Sequence, residues 1–151
     1  MFIINCKGKI LRLDDPLVMG IINVTPDSFY EGHLNSGIDE ITALAEKIVK
    51  DGADIIDIGG QSTRPGSTPI TAAEELQRVL PVIEAIHKNN PGIIISIDTY
   101  YSIVANAAVG AGASMVNDIS GGNIDQEMLS TVAALKVPYV CMHMKGIPGT
   151  M

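Results

Sequence analysis

Leu17-Val18-Met19-Gly20-Ile21-Ile22-Asn23-Val24-Thr25-Pro26-Asp27-Ser28-Phe29 is an apolar run that ends in polar, turn-forming chemistry. Leu17 to Ile22 shows no helical period and reads as a buried strand. Asn23 to Phe29 then gathers an amide, a hydroxyl, a carboxylate and an aromatic ring around a rigid Thr-Pro turn. Polar loops at the exits of buried strands are where α/β proteins hold their ligands. The same transition recurs at Gly59-Gly60-Gln61-Ser62-Thr63-Arg64-Pro65-Gly66, at Asp98-Thr99, at Asn117-Asp118 and at Met142-His143-Met144-Lys145. Five dressed strand exits imply one shared site.

Between these exits the pattern alternates. Ile38, Ile41, Leu44, Ala45, Ile48 and Val49 recur at helical spacing, and Gly52 suits the helix end. Ala53 to Ile58 is a second strand. Thr71 with Glu74 predicts a capping box opening a helix, which Pro81 should kink or restart. Ile93 to Asp98 is a near-continuous β-branched run, as in parallel strands buried on both faces. A helix over Tyr100 to Gly112, a strand over Ser114 to Asn117, a helix over Ile124 to Lys136 and a strand over Pro138 to Met144 follow. Ahead of all this, Phe2–Cys6 and Lys9–Leu13 alternate about Lys7-Gly8 as a small hairpin.

Repeated βα alternation means a parallel sheet with right-handed crossovers. At 151 residues, length fits an open doubly wound sheet better than a (β/α)₈ barrel, which takes roughly 250 residues. Motif placement favours the barrel. In an open sheet only the strand ends next to one switch point reach the ligand, whereas here every exit is polar.

The 46% hydrophobic content supports a real core, and the net charge of −7 argues against nucleic-acid or membrane-surface partners, which need a basic face. No run is long enough to span a bilayer, and the first residues lack the order of a secretory signal. Cys6 and Cys141 fit no metal or redox spacing. No linker or low-complexity segment divides the chain, so 1–151 is read as one domain.

Five blocks, Asn23 to Phe29, Ser62 to Gly66, Ser96 to Thr99, Asn117 to Gly122 and Met142 to Gly146, together resemble the dihydropteroate synthase family. The resemblance implies a TIM (β/α)₈ barrel, of which about the first five β/α units are present, forming an incomplete pterin-binding domain. It implies a cytoplasmic transferase of folate biosynthesis and a sulfonamide target. The reaction implied condenses (7,8-dihydropterin-6-yl)methyl diphosphate with 4-aminobenzoate, giving 7,8-dihydropteroate and diphosphate.

The carried-over roles follow the matching positions. Asp98 and Asn117 resemble the pair that grips the pterin, and Thr63 a donor to the diphosphate. Asn23 resembles the ligand of Mg²⁺. Phe29, Arg64 and Pro65 would wall the aminobenzoate side, with a structural ion pair the competing role for Arg64 and ordinary packing for Phe29. No residue is assigned as general acid or base, and His143 is given no proton-transfer role. Met142 or Met144 would touch the pterin face, with plain core packing as the alternative. A homodimer would form through the C-terminal half that this stretch lacks.

Bland readings compete at Asp98, as the cap of the following helix, and at Asn117, as a turn residue. The chain departs from the family pattern at Gln61, where Glu is usual, and at Glu31 and His33 in the first long loop. A pterin-dependent methyltransferase domain is the alternative enzyme, disfavoured by loops built to hold a diphosphate. A non-catalytic fragment is the other alternative, and the isolated 151-residue polypeptide is expected to be inactive.

Overall fold

The computed structural model describes residues 2–25, 34–61 and 69–144. In chain order the elements are β1 (Ile3–Cys6), β2 (Lys9–Arg12), β3 (Met19–Asn23), α1 (Leu34–Lys50), β4 (Ile55–Gly59), α2 (Ala72–Asn89), β5 (Ile94–Asp98), α3 (Ser102–Ala111), β6 (Met115–Asp118), α4 (Met128–Leu135) and β7 (Tyr139–Cys141).

β3 to β7 form one parallel sheet in the order β3-β4-β5-β6-β7. This strictly sequential order decides between the two architectures. A doubly wound sheet reverses its strand order at a switch point; a barrel adds each strand beside the last. The helices also follow the barrel rule, α1 packing on α2, α2 on α3 and α3 on α4. They form one layer on one face of the sheet.

Side-chain alternation sorts the strands into two faces. Ile22, Ile56, Ile58, Ile95, Ile97 and Val116 point to the helices and make the main core with Val79, Val82, Ile83, Ile86, Val104 and Met128. The other face is layered along the strands. At its N-terminal end Ile55, Ile94 and Met115 pack with Cys6 and Leu11 of the hairpin, and with Ile4, Leu17 and Met19. Lys7 and Gly8, both at positive φ, make the tight turn of that hairpin. The Lys7 ammonium donates to the Val109 carbonyl at 2.9 Å, and that of Lys9 donates to the Ile93 carbonyl. The hairpin therefore plugs the N-terminal end of this face, and among the described residues nothing plugs the C-terminal end in the same way.

α2 opens with the expected capping box. The Thr71 hydroxyl accepts from the Glu74 amide at 3.2 Å, and the Glu74 carboxylate accepts from the Thr71 amide at 2.8 Å. Pro81 neither breaks nor restarts the helix, which runs unbroken from Ala72 to Asn89. Proline in a helix interior costs about 3 kcal/mol. Burying Val79, Val82, Ile83 and Ile86 completely against the sheet at roughly 1.5–3 kcal/mol each outweighs that cost.

α4 begins later than its apolar spacing predicts, at Met128 rather than Ile124. Gly121 and Gly122 sit at positive φ, and Asp125 uses its carboxylate to accept from the Ser102 and Glu127 amides at 2.7 and 3.0 Å. Those bonds hold 121–127 as a turn and supply the N-terminus of α3 with its acceptor. β7 is likewise shorter than the apolar run around it.

Candidate functional site

The register brings Asn23, Gly59, Asp98, Asn117 and Val140 into one row across the five strands, at their C-terminal ends. Residues in one row of a parallel sheet point to the same face. Here that is the face opposite the helices. Three of the residues predicted from sequence, Asn23, Asp98 and Asn117, are thereby brought together. Thr63, Arg64, Pro65 and Phe29 lie outside the described residues, as do Glu31, His33 and Lys145.

Gly59 makes room at the middle of the row. A Cβ placed there would stand 3.4 Å from Asn23 Oδ1 and 3.4 Å from Asp98 Oδ2. The amide and the carboxylate thus lean over the glycine from its two sides.

Asp98 is not a helix cap. The first residue of α3, Ser102, gives its amide to Asp125, and the Tyr101 amide goes to the Thr99 hydroxyl at 3.1 Å. Among the described residues no hydrogen bond engages the Asp98 carboxyl group. Burial, and then the negative charges of Asp57 and Asp118, push its pKa up to about 7. A half-buried carboxylate, unpaired among the described residues and aimed into a concave face, is arranged for a ligand that brings its own N–H donors.

Asn117 is not a turn residue either, being the third residue of β6. Its side-chain nitrogen donates to Asp57 Oδ2 at 2.9 Å, and its Oδ1 is buried with no partner among the described residues. Asp118, one residue on, has a different task. It is fully buried and accepts from the Ser120 amide and hydroxyl and the Gly122 amide, each at 2.8 Å, and from the Tyr139 hydroxyl at 2.7 Å. It shapes the loop after β6 and adds negative potential beside the row.

Asp57 and Ser96 escaped the sequence reading. They pair with one another across β4 and β5, one step below the row. The signal was present: each is a single polar residue inside an apolar strand, Ile56-Asp57-Ile58 and Ile95-Ser96-Ile97. Burial pushes the Asp57 carboxyl above its usual range, against the lowering influence of Ser96 and Asn117 beside it.

A second group of polar contacts anchors both ends of the loop between β4 and α2. The Gln61 amide and the Tyr100 hydroxyl meet at 2.8 and 3.0 Å, and both residues are buried. Gln61, a departure from the family pattern, thus has a neutral partner. Arg78 donates to the Gly60 carbonyl at 2.8 Å, and Tyr101 to the Ile70 carbonyl at 2.9 Å. Thr99 donates to Glu75, which is 2% exposed.

Burial raises the Glu75 pKa from 4.5 to about 7. A carboxyl group with a raised folded pKa contributes stability that is complete below its unfolded pKa and is lost as pH rises through the folded one. The melting temperature is therefore expected to fall between about pH 4.5 and about pH 7, and Glu75→Gln to flatten that fall by removing its share. Thermal unfolding at a series of pH values checks this. An undiminished slope in Glu75→Gln counts against it.

His143 is exposed at the end of β7, and Met142, two residues beyond Val140, is exposed too. Among the described residues there is no cluster of three or more His, Cys, Asp or Glu side chains able to hold a metal. No described helix is long and apolar enough to cross a membrane.

Comparison with known proteins agrees with this geometry. The family of pterin binding enzymes matches residues 19–151. The folic acid synthesis protein fol1 of Pneumocystis carinii is 56% identical over 129 residues, covering 85% of this chain and 17% of that protein. The dihydropteroate synthase of Bacillus subtilis is 52% identical over 127 residues, covering 84% of this chain and 44% of that one. Among solved structures, Xanthomonas albilineans dihydropteroate synthase with 4-aminobenzoic acid superposes with a TM-score of 0.87 at 45% identity, covering 95% of this chain and 52% of the other. The same enzyme with 7,8-dihydropteroate gives 0.82 at 41% identity, with 95% and 51% covered. The chain spans about half the length of these solved relatives and less of the longer ones. Five sequential parallel strands, a plugged N-terminal end and a polar row at the C-terminal end are the first part of the barrel those structures share, and the chain belongs to the family of pterin binding enzymes.

Proposed function

We propose that the protein carrying this sequence is a dihydropteroate synthase, a cytoplasmic transferase that joins a dihydropterin to 4-aminobenzoate. One observation carries the reading: Asn23, Asp98 and Asn117 share a row on the concave face, with Gly59 opening space between the first two. Asp98 and Asn117 accept from the amino and ring N–H groups of the pterin edge. The carboxylate does so with the strength of a charge-assisted bond.

In the reaction the methylene carbon–oxygen bond of the pterin diphosphate breaks and diphosphate leaves with the electron pair. A carbon–nitrogen bond forms to the arylamine, whose nitrogen loses a proton to solvent. Positive charge growing on the methylene carbon meets a fixed negative potential from Asp57, Asp98 and Asp118. No side chain of this face is given proton transfer.

Mg²⁺ fits the donor set. That ion takes one or two protein oxygens and fills its shell with water and phosphate, and Asn23 offers one neutral amide oxygen at the rim of the row. The ion would neutralise diphosphate charge when bound. Thr63, Arg64, Pro65 and Phe29 complete the reading on the diphosphate and aminobenzoate sides, where sulfonamides would compete. The homodimer through the C-terminal half belongs to the same proposal.

Incubating the full-length protein with (7,8-dihydropterin-6-yl)methyl diphosphate, 4-aminobenzoate and Mg²⁺ is expected to yield 7,8-dihydropteroate by mass spectrometry. Absence of that product, together with tight binding of methyl-tetrahydrofolate, would transfer the assignment to methyl transfer.

A further inference from the structure

The proposed function gives one buried carboxyl group of the concave face a share of the negative potential but no contact with the ligand. Asp57 is 3% exposed and stands one step below the ligand row, level with Ile21, Ser96 and Met115. A carboxyl group inside an apolar strand carries a desolvation cost, which an aliphatic residue would avoid. Nothing in the sheet's own pairing requires it there.

What Asp57 does is turn an amide. Its Oδ2 accepts from Asn117 Nδ2 at 2.9 Å. An amide has one donor end and one acceptor end. Once the NH₂ end is committed to Asp57, the Asn117 Oδ1 must face the other way, and it is buried there with no partner among the described residues. In the next strand, the Asp98 carboxyl group is likewise unengaged among the described residues. The face therefore shows acceptors at two neighbouring positions. A ligand edge carrying adjacent N–H donors satisfies both, whereas an edge with an oxygen at one of them sets lone pair against lone pair.

We propose that Asp57 is a positioning residue that holds the Asn117 amide with its oxygen toward the ligand, and so makes the pocket prefer a 2-amino-pteridine over its 2-oxo counterpart. The inference rests on the pterin reading for its ligand, but its mechanical half concerns the protein alone.

Asp57→Asn keeps the volume and removes the commitment, because an amide at 57 can donate as readily as it accepts. In the full-length protein, 6-hydroxymethylpterin and its 2-oxo analogue serve as probes in titration calorimetry. Losing one buried hydrogen bond to a charged partner is worth about 10- to 100-fold. Pterin affinity is expected to fall by that factor while affinity for the 2-oxo analogue holds or rises. In an Asn117→Ala background the same Asp57→Asn change is expected to alter pterin affinity less than about twofold, since the two act as one unit.

The side-chain NH₂ resonance of Asn117 provides a measurement that needs no variant. In the unmodified protein its protons should be hydrogen-bonded, and so protected from exchange, both without ligand and with pterin bound. Equal losses for both probes, an undiminished effect in Asn117→Ala, or an NH₂ group that exchanges freely in the ligand-free protein would each overturn the proposal. If the unmodified protein binds neither pteridine, the proposed function falls. The inference is then decided by the ligand-free NH₂ signal, which Asp57→Asn must displace.

Discussion

Asp98→Ala in the full-length protein is expected to lower synthase kcat/KM by about 10²- to 10⁴-fold, the value of one or two charge-assisted hydrogen bonds lost from a buried site. The argument begins with what Asp98 does not do. It caps no helix, since α3 takes its acceptor from Asp125, and among the described residues it accepts no hydrogen bond. Its partial desolvation without a partner among the described residues fits a ligand-binding role. Asp98→Asn should lose nearly as much, because half of the new amide is a donor facing donors. That variant should also melt at a higher temperature than the parent at neutral pH. Folded Asp98 titrates at about 7 against an ordinary 3.8, so its favourable contribution is lost as pH rises through about 7, and Asn has no such loss.

The same titration gives a pH signature. Only the ionised carboxylate accepts two N–H groups at once, so pterin affinity should rise with pH up to about 7 and level off above. Asp98→Asn should abolish the rise. Activity of Asp98→Ala within threefold of the parent would remove Asp98 from the site.

The strands were legible because buried parallel strands are written as apolar runs closed by turn residues. Ile93 to Asp98 needs nothing else. Strand order was not legible from periodicity. βα alternation permits both a reversing and a sequential order, and the distribution of polar exits had to stand in for the missing information. The structure's β3-β4-β5-β6-β7 order vindicates that substitute. Pro81 does not restart the helix, because its local penalty is outweighed by the four aliphatic side chains that bury the helix around it. Ile124 misled because the acceptor needed by Ser102 lies 23 residues away in sequence, and no local pattern reports it.

At the site, Asn23, Asp98 and Asn117 were readable as strand-exit residues. Asp57 was not, for a geometric reason. It lies two residues before the exit, and whether it faces helices or ligand depends on the pairing register, which only the sheet supplies. The bond from Asn117 to Asp57 spans 60 residues. The interior of a functional site is commonly hidden in this way, whereas its rim is announced by turn chemistry.

The 151-residue polypeptide by itself is expected to show no synthase turnover above background and to associate as its concentration rises. Among the described residues β3 and β7 each pair on one side only, so both edges of the sheet offer unused backbone donors and acceptors. Among the described residues the concave face is open as well. Ile21 is 64% exposed beside the site, with Val140 and Met142 uncovered at its other side. In a closed barrel of eight strands those side chains meet the strands opposite. Here they are exposed, and the proposed acceptor row would contact a pterin from one side only. Charge-assisted bonds at a wet surface are worth far less than in an enclosed site, so the remaining half-pocket can neither hold the pterin against solvent nor keep water from the methylene carbon. Sedimentation at several concentrations and a turnover assay on mass-verified polypeptide test both parts. A monomeric species with turnover within tenfold of the full-length protein would show that one row of strand ends suffices, and that the enclosure supplied by the rest of the barrel is dispensable.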